Sequence, residues 1–207
     1  MICAIVLAAG TSSRMGTPKP LVLLGGRPLL HHVLQTVRAS DVDDIVVVLG
    51  PNADRVRDAV ALDRTRTVVN DAYEDGMSTS IRAGVRAAES KAEGLLIVLG
   101  DQPFVASKTL DELIARKDGS PAKILIPTYR GRRGNPVLLD SSLSREAESI
   151  TGDVGCRALF DCHAGEILEV PVDDPGILVD LDTPEQVTLA NEVLRSGRSI
   201  ESMVVRP

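Results

Sequence analysis

Largely apolar runs recur along this chain at Ile2 to Leu7, Asp44 to Leu49 and Leu95 to Leu99, and each ends abruptly in glycine or small residues. A run without polar alternation fits a strand covered on both faces, which is the habit of parallel sheets. Helical spacing predicts helices over Pro28 to Arg38, where Leu29, Leu30, Val33, Leu34 and Val37 form one stripe, over Asn52 to Val60, from Ile81 through Val85 to Ala88, and over Ser107 to Arg116. Further strands are predicted at Thr67 to Val69, Lys123 to Pro127, Val137 to Leu139 and Ile167 to Val172, and Gly152-Asp153-Val154-Gly155 is expected to open another helix. Thr183 and Gln186 have the spacing of a capping box with Pro184 at the first helical position. Strands alternating with helices predict an α/β fold, three layers around a mostly parallel Rossmann-like sheet. No Pro/Gly/Ser-rich break divides the 207 residues, so residues 1–196 read as one domain, with 197–207 as a mobile C-terminal tail of weak periodicity.

The first strand runs into Ala8-Ala9-Gly10-Thr11-Ser12-Ser13-Arg14-Met15-Gly16-Thr17-Pro18-Lys19. Small residues and glycine after a buried strand let backbone N–H groups approach a ligand, and two cations in the loop make that ligand an anion, with phosphate the natural candidate. Two phosphate motifs are excluded. A Walker A loop needs Lys directly after its second glycine, and a dinucleotide fingerprint needs three close glycines. Lys19 stands instead between Pro18 and Pro20, whose fixed φ values predict an extended backbone that holds the ammonium away from the local chain.

Three later stretches carry chemistry. Ser78, Thr79 and Ser80 begin the helix of Ile81; they either cap its N–H groups or line an anion site there, helped by Arg82. Asp101 follows the most apolar strand in Gly100-Asp101-Gln102-Pro103, as a turn residue or as a metal ligand beyond the carboxyl end of the strand, facing the same crevice as Gly10. Tyr129-Arg130-Gly131-Arg132-Arg133-Gly134-Asn135-Pro136 is a second anion site or a solvated hairpin.

A formal charge of −6 argues against a nucleic-acid surface, and 2% aromatic content leaves few stacking platforms. No apolar run reaches eighteen residues, and the N-terminus enters a strand at once without space for a signal peptide, so no membrane span and a cytoplasmic location are expected. Cys3, Cys156 and Cys162 cannot all pair, and Cys156, Cys162 and His163 lack zinc-site spacing; structural thiols are expected.

Taken together, Leu7-Ala8-Ala9-Gly10 with Arg14-Met15-Gly16 and Lys19, Gly76-Met77-Ser78-Thr79-Ser80, Gly100-Asp101-Gln102-Pro103, Gly131-Arg132-Arg133-Gly134-Asn135-Pro136, Gly152-Asp153-Val154-Gly155 and Asp180-Leu181-Asp182-Thr183-Pro184 resemble the molybdenum-cofactor nucleotidyltransferases, and within them the cytidylyltransferase branch. The resemblance implies the nucleotide-diphospho-sugar-transferase type of fold, with one reversed strand. It implies that the terminal phosphate of molybdopterin attacks the α-phosphorus of a nucleoside triphosphate, that pyrophosphate leaves, and that Mg²⁺ bridges the phosphates. Carried over residue by residue, the backbone of Ala8, Ala9 and Gly10 contacts base and phosphates, Arg14 and Lys19 stabilise the departing pyrophosphate, and Asp101 holds Mg²⁺. Asn70, Ser78 and Ser80 contact the nucleotide. Asp180 is the second metal carboxylate in preference to Asp182, whose place is read as tied up near the helix cap. Arg132, Arg133 and Asn135 face the pterin phosphate.

Ala8-Ala9-Gly10, rather than Ala-Gly-Gly, favours CTP over GTP by narrowing the base pocket. A guanylyltransferase, another nucleotidyltransferase of the same fold, or a non-catalytic nucleotide-binding module are the alternatives. Some relatives carry an oxidoreductase name, but no flavin or nicotinamide fingerprint is present here. The implied partners are the molybdopterin-type acceptor and, transiently, a maturation chaperone or target hydroxylase.

Overall fold

The computed structural model describes residues 1–10, 16–88 and 90–204. In chain order it comprises β1 (Ile2–Ala8), a short hairpin of β2 (Leu23–Leu24) and β3 (Arg27–Pro28), α1 (Leu29–Arg38), β4 (Asp44–Leu49), α2 (Ala53–Ala59), β5 (Arg66–Val69), α3 (Met77–Ala87), β6 (Gly94–Leu99), α4 (Ser107–Lys117), β7 (Ile124–Tyr129), β8 (Arg132–Arg133), β9 (Val137–Asp140), α5 (Ser144–Ser149), β10 (Ile167–Pro171) and α6 (Pro184–Ser196). The main sheet has the order β10-β7-β9-β6-β1-β4-β5, with β8 attached to β7. Along that path every pair is parallel except those of β9, which runs against both β6 and β7. This is the three-layer, mostly parallel architecture with one reversed strand that the sequence implies.

Alternation along β1 divides the core. Ala4 and Val6 pack on one face with Leu30, Val33 and Leu34 of α1, Val56 of α2 and Leu110 and Leu113 of α4. Cys3 and Ile5 pack on the other with Ile81 and Val85 of α3 and Ala147 of α5. Both faces of β1 are dry, so its uninterrupted apolar run is the physical cause of its central place. α3 lies close to the sheet because Gly84 has no side chain: a Cβ there would stand 2.2 Å from Ile5 Cγ2.

Four local expectations change. Gly152 to Gly155 opens only a 3₁₀ turn, Gly155–Leu159, because Gly152 and Gly155 both take positive φ. α5 and the β2/β3 hairpin, elements of six and two residues, are too short to show periodicity. Residues 200–204, read as part of a mobile tail, are docked. Ile200, Met203 and Val204 pack on a third cluster of Leu24, Leu29, Val179, Leu181 and Ala190, and Glu201 receives the Tyr129 hydroxyl and pairs with Arg130. Arg82 does not face an anion; it donates to the Glu148 and Ile150 carbonyls at 3.0 and 3.1 Å and so closes the end of α5. No helix among the described residues is long and apolar enough to cross a membrane.

α5 is also tied down by His163, which donates to Glu146 at 2.7 Å and Glu166 at 2.6 Å, while Lys123 pairs with Glu166 at 2.8 Å. The hydrogen bonds to Glu146 and Glu166 raise the His163 pKa above its ordinary value. A raised folded pKa contributes stability that is fully present below the unfolded value of about 6.5 and is lost as pH rises through the folded one. His163→Gln is therefore expected to cost most stability near pH 6, the gap to wild type narrowing in denaturation curves taken at higher pH; a gap independent of pH would mean that His163 acts through packing alone. Gly84→Ala gains about 1 kcal/mol in helix propensity but overpacks the Ile5–Val48 contact by about 1–3 kcal/mol. A net loss of stability with an unchanged m value is expected, and a stabilised variant would show that the α3–β1 contact yields easily.

Candidate active site

The site lies beyond the carboxyl ends of β1 and β6, as a parallel sheet leads one to expect. Gly50 and Gly100 make room for it. A Cβ on Gly50 would stand 2.6 Å from the Ala9 carbonyl oxygen, and one on Gly100 would stand 2.6 Å from that of Leu7. Gly100 N–H also donates to Leu7 O at 2.9 Å. The strand end at Ala8 to Gly10 and the Asp101 turn are thereby pressed together, and both line a cleft of about 560 Å³ with Lys19, Ser80 and Asp182.

Lys19 begins a 3₁₀ turn, Lys19–Leu21, rather than continuing an extended segment, since Pro20 occupies a first-turn position and the Leu21 and Val22 N–H groups bond back to Pro18 and Lys19. Its ammonium nevertheless projects into the cleft, 2.6 Å from Asp101 Oδ2 and 2.5 Å from Asp182 Oδ1. Burial alone would lower the Lys19 pKa; the charges and hydrogen bonds of Asp101 and Asp182 together outweigh it and hold the group above the usual lysine range, so Lys19 stays a cation. Arg14 lies outside the described residues.

Asp180 and Asp182 reach the same place through the period of an extended chain. Leu181 between them is fully buried in the third cluster, and its N–H donates to the Asp101 carbonyl at 3.1 Å, so its two neighbours face the opposite way, toward Asp101. Asp180 Oδ1 accepts from Gln102 Nε2 at 2.6 Å. Burial and then the charge of Asp101 raise the Asp180 pKa, with the Gln102 hydrogen bond opposing them. The backbone of Asp182 does belong to the helix cap, its N–H donating to Gln186 Oε1 at 2.7 Å beside the Thr183–Gln186 capping box. Its carboxylate, however, is turned to Lys19. Asp101 Oδ1 is buried without a hydrogen-bond partner. An orphaned carboxylate oxygen beside further carboxylates is the donor set that a hard divalent cation takes. Among the described residues no three His, Cys, Asp or Glu side chains form a ready-made metal site.

A second chamber, of about 680 Å³, adjoins the first and shares Met77, Leu99, Asp101, Asp153 and Asp182 with it. Apolar Ile97, Ile126 and Val137 form part of its wall, and Asp180, Arg133 and Asn135 bring polar groups to it. Arg133 donates to Glu169 at 2.7 Å and lies 5.9 Å from the Phe160 ring. Arg132 of β8 pairs in register with Tyr129 of β7 and does not line the chamber. Cys156 does line it, with a thiol pushed up to about 12 by burial, so this sulfur is a packing group and not a nucleophile. Sequence reasoning passed over exposed Arg157, a further cation on this wall; an arginine in a short turn gives no pattern to find it by.

The residues expected to touch a nucleotide divide in two. Ser80 lines the first cleft. Asn70 is 5% exposed and committed inward, donating to Thr79 Oγ1 and Ser80 Oγ at 2.8 and 3.0 Å and accepting from Ala72 N–H, so it braces the wall. Ser78 is buried, with its hydroxyl unpartnered, and does not line the cleft. None of the three hydroxyls caps α3: its first residue, Met77, donates its N–H to Asp153 Oδ1 at 3.0 Å.

Residues 4–167 match the MobA-like NTP transferase domain. The nicotine blue oxidoreductase of Paenarthrobacter nicotinovorans is 31% identical over 90% of this chain and 94% of its own. The crystal structure of a homologue, from a Mycobacterium strain, of the Mycobacterium tuberculosis protein Rv0371c superposes with a TM-score of 0.84 at 32% identity, covering 94% of this chain and 98% of that one. Rv0371c of M. tuberculosis itself, solved as a complex with manganese, superposes with a TM-score of 0.79 at 29% identity over 92% and 98% of the two chains. The match over most of the chain and the agreement in fold establish that this protein belongs to the MobA-like NTP transferase family and is an enzyme of the nucleotidyltransferase type.

Proposed function

We propose that the protein transfers CMP from CTP to the terminal phosphate of a molybdenum-loaded molybdopterin, releasing pyrophosphate. The observation that carries this reading is the junction of the two chambers, where Lys19 stands between Asp101 and Asp182 and Asp180 adjoins them. A triphosphate held in the first chamber and an acceptor phosphate held in the second meet at that junction, which is what an in-line displacement requires. The same charge arrangement, a lysine among carboxylates, supports phosphoryl chemistry rather than the oxidoreduction in the name of one relative.

In the mechanism the acceptor phosphate oxygen forms a bond to the α-phosphorus while the bond from that phosphorus to the bridging oxygen of pyrophosphate breaks; no protein nucleophile intervenes. Lys19, held protonated, neutralises the departing pyrophosphate, with Arg14 assigned the same task. The backbone of Ala8, Ala9 and Gly10 and the hydroxyl of Ser80 orient the nucleotide, and Asn70 and Ser78 support that wall from behind. Arg133 and Asn135 orient the acceptor, with Arg157 on the 155–159 turn, and Arg132, outside the chamber wall, adds only its charge to the loop. Asp101 and Asp180 would hold Mg²⁺, which as a Lewis acid neutralises phosphate charge; the orphaned Asp101 Oδ1 fits it, and the manganese in the related Rv0371c structure supports a divalent ion. CTP rather than GTP is supported by Ala9, which stands in the cleft-lining loop where the guanylyl pattern carries glycine. A cytoplasmic location and transient delivery of the product to a maturation chaperone or target hydroxylase follow from the same reading.

Pyrophosphate release with Mg²⁺ and molybdenum-loaded molybdopterin is expected with CTP and not with ATP or UTP. Preference for GTP would keep the chemistry and change the base, and silence with all four nucleotides despite measurable binding would remove this acceptor. Lys19→Met and Asp101→Asn are each expected to lower turnover by at least about 100-fold, with circular dichroism unchanged; wild-type rates in either would remove that residue from the reaction. Chelation by EDTA is expected to abolish turnover and added Mg²⁺ or Mn²⁺ to restore it, and full activity in excess chelator would exclude the metal role of Asp101 and Asp180.

A further inference from the structure

We infer that Asp153 is a positioning residue for the nucleotide, acting from the loop that walls the acceptor chamber; the inference rests on the nucleotidyltransferase reading of the two chambers. The wall of the nucleotide cleft is the stretch Tyr73 to Met77 together with Ser80. This stretch has no cap of its own. Gly76 stands at the N-cap position of α3 with no side-chain acceptor, Thr79 Oγ1 is spent on the Ala72 and Gly76 carbonyls, and Ser80 Oγ receives Asn70. The free N–H groups of the first turn are met from far along the chain, Met77 N–H by Asp153 Oδ1, 76 residues away, at 3.0 Å, and Ser78 N–H by Gly152 O at 3.2 Å.

The two segments are interlocked by shape as well as by hydrogen bonds. Gly76 has φ +102°, and a Cβ there would stand 2.8 Å from the Gly152 carbonyl carbon and oxygen. Gly155 has φ +58°, and a Cβ there would stand 2.9 Å from Met77 Sδ. At Gly76 backbone lies against backbone, which only glycine allows; at Gly155 the positive φ favours glycine and the neighbour is the Met77 side chain. Asp153 and Met77 line both chambers, whereas Val154, Gly155, Cys156 and Arg157 continue along the acceptor chamber alone. One loop therefore builds part of the acceptor wall and sets the start of the helix that carries the nucleotide wall.

The arrangement separates two roles for Asp153. As a positioning group it needs an oxygen that accepts from Met77 N–H, and no charge. As a direct ligand of phosphate-bound metal it needs the charge. Asn retains the oxygen and loses the charge; Ala loses both.

The test measures CTP binding by calorimetry, and KM and kcat by pyrophosphate release, for wild type, Asp153→Asn and Asp153→Ala, with amide exchange at Met77 and Ser78. Asp153→Ala is expected to bind CTP roughly tenfold more weakly and to raise KM for CTP by a similar factor, with kcat at saturation changed by less than about threefold, and to lose protection at the two amides. Asp153→Asn is expected to restore affinity, KM and protection to within about threefold of wild type. Unchanged CTP affinity in Asp153→Ala, or an Asp153→Asn as impaired as Asp153→Ala, would overturn the inference while leaving the nucleotidyltransferase reading in place. A wild-type protein that binds no nucleoside triphosphate would overturn both. Should Asp153→Ala fail to fold, Asp153→Asn with the exchange data still decides the matter, since loss of both affinity and protection there would overturn it.

Discussion

The Lys19 ammonium set between Asp101 and Asp182 is the interaction on which the site depends. Three carboxylates, at 101, 180 and 182, converge at the carboxyl end of a buried sheet, where partial desolvation makes like charges expensive. Lys19 offsets that cost. The orphaned Asp101 Oδ1 indicates that one lysine does not use the full capacity of the cluster. The divalent cation proposed above would require this incompleteness, because a cluster fully satisfied by protein groups would have nothing left with which to hold it.

Assembling those charges is the work of backbone close approaches. Gly50 and Gly100 let the turns after β4 and β6 press against the end of β1, so that three neighbouring parallel strands deliver their loops to one point. The fourth contribution comes from the far end of the chain. Leu181, buried with Leu24, Leu29 and Ala190, anchors an extended segment whose alternation sends Asp180 and Asp182 back to Asp101. Residues 200–204 close over the same cluster, and Glu201 reaches Tyr129 and Arg130 at the base of the arginine loop. The C-terminal segment thus buttresses both the Asp180–Asp182 segment and the arginine loop.

The two chambers share walls, and the sharing has consequences for how substitutions act. Asn70 and Gly152 touch no cleft directly, yet each holds the start of α3, which does, through hydrogen bonds. Loss of such a brace moves a wall rather than removing a ligand contact, so its effect is spread over substrate affinity and stability together.

The strands and long helices, the parallel sheet, the capping box at Thr183 and Gln186, and the gathering of Gly10, Lys19 and Asp101 were legible in the sequence by itself, because each is written in local terms: unbroken apolar runs, helical period, and small or charged residues at strand ends. Only the tertiary structure decided that Asp182 turns its carboxylate to Lys19 while its backbone stays in the cap, that Arg82 and Asn70 are spent on internal carbonyls and hydroxyls, that 152–155 forms a turn locked against Gly76 instead of a helix, and that the last described residues are docked. In most of those cases the deciding partner lies far along the chain, 163 residues away for Asp182, 66 for Arg82 and 76 for Asp153, while for Asn70 it is the folding of the next turn back onto it, from residues nine and ten places on. A side chain with several nearly equal local options takes the one that its packed surroundings leave open, and periodicity carries no record of those surroundings.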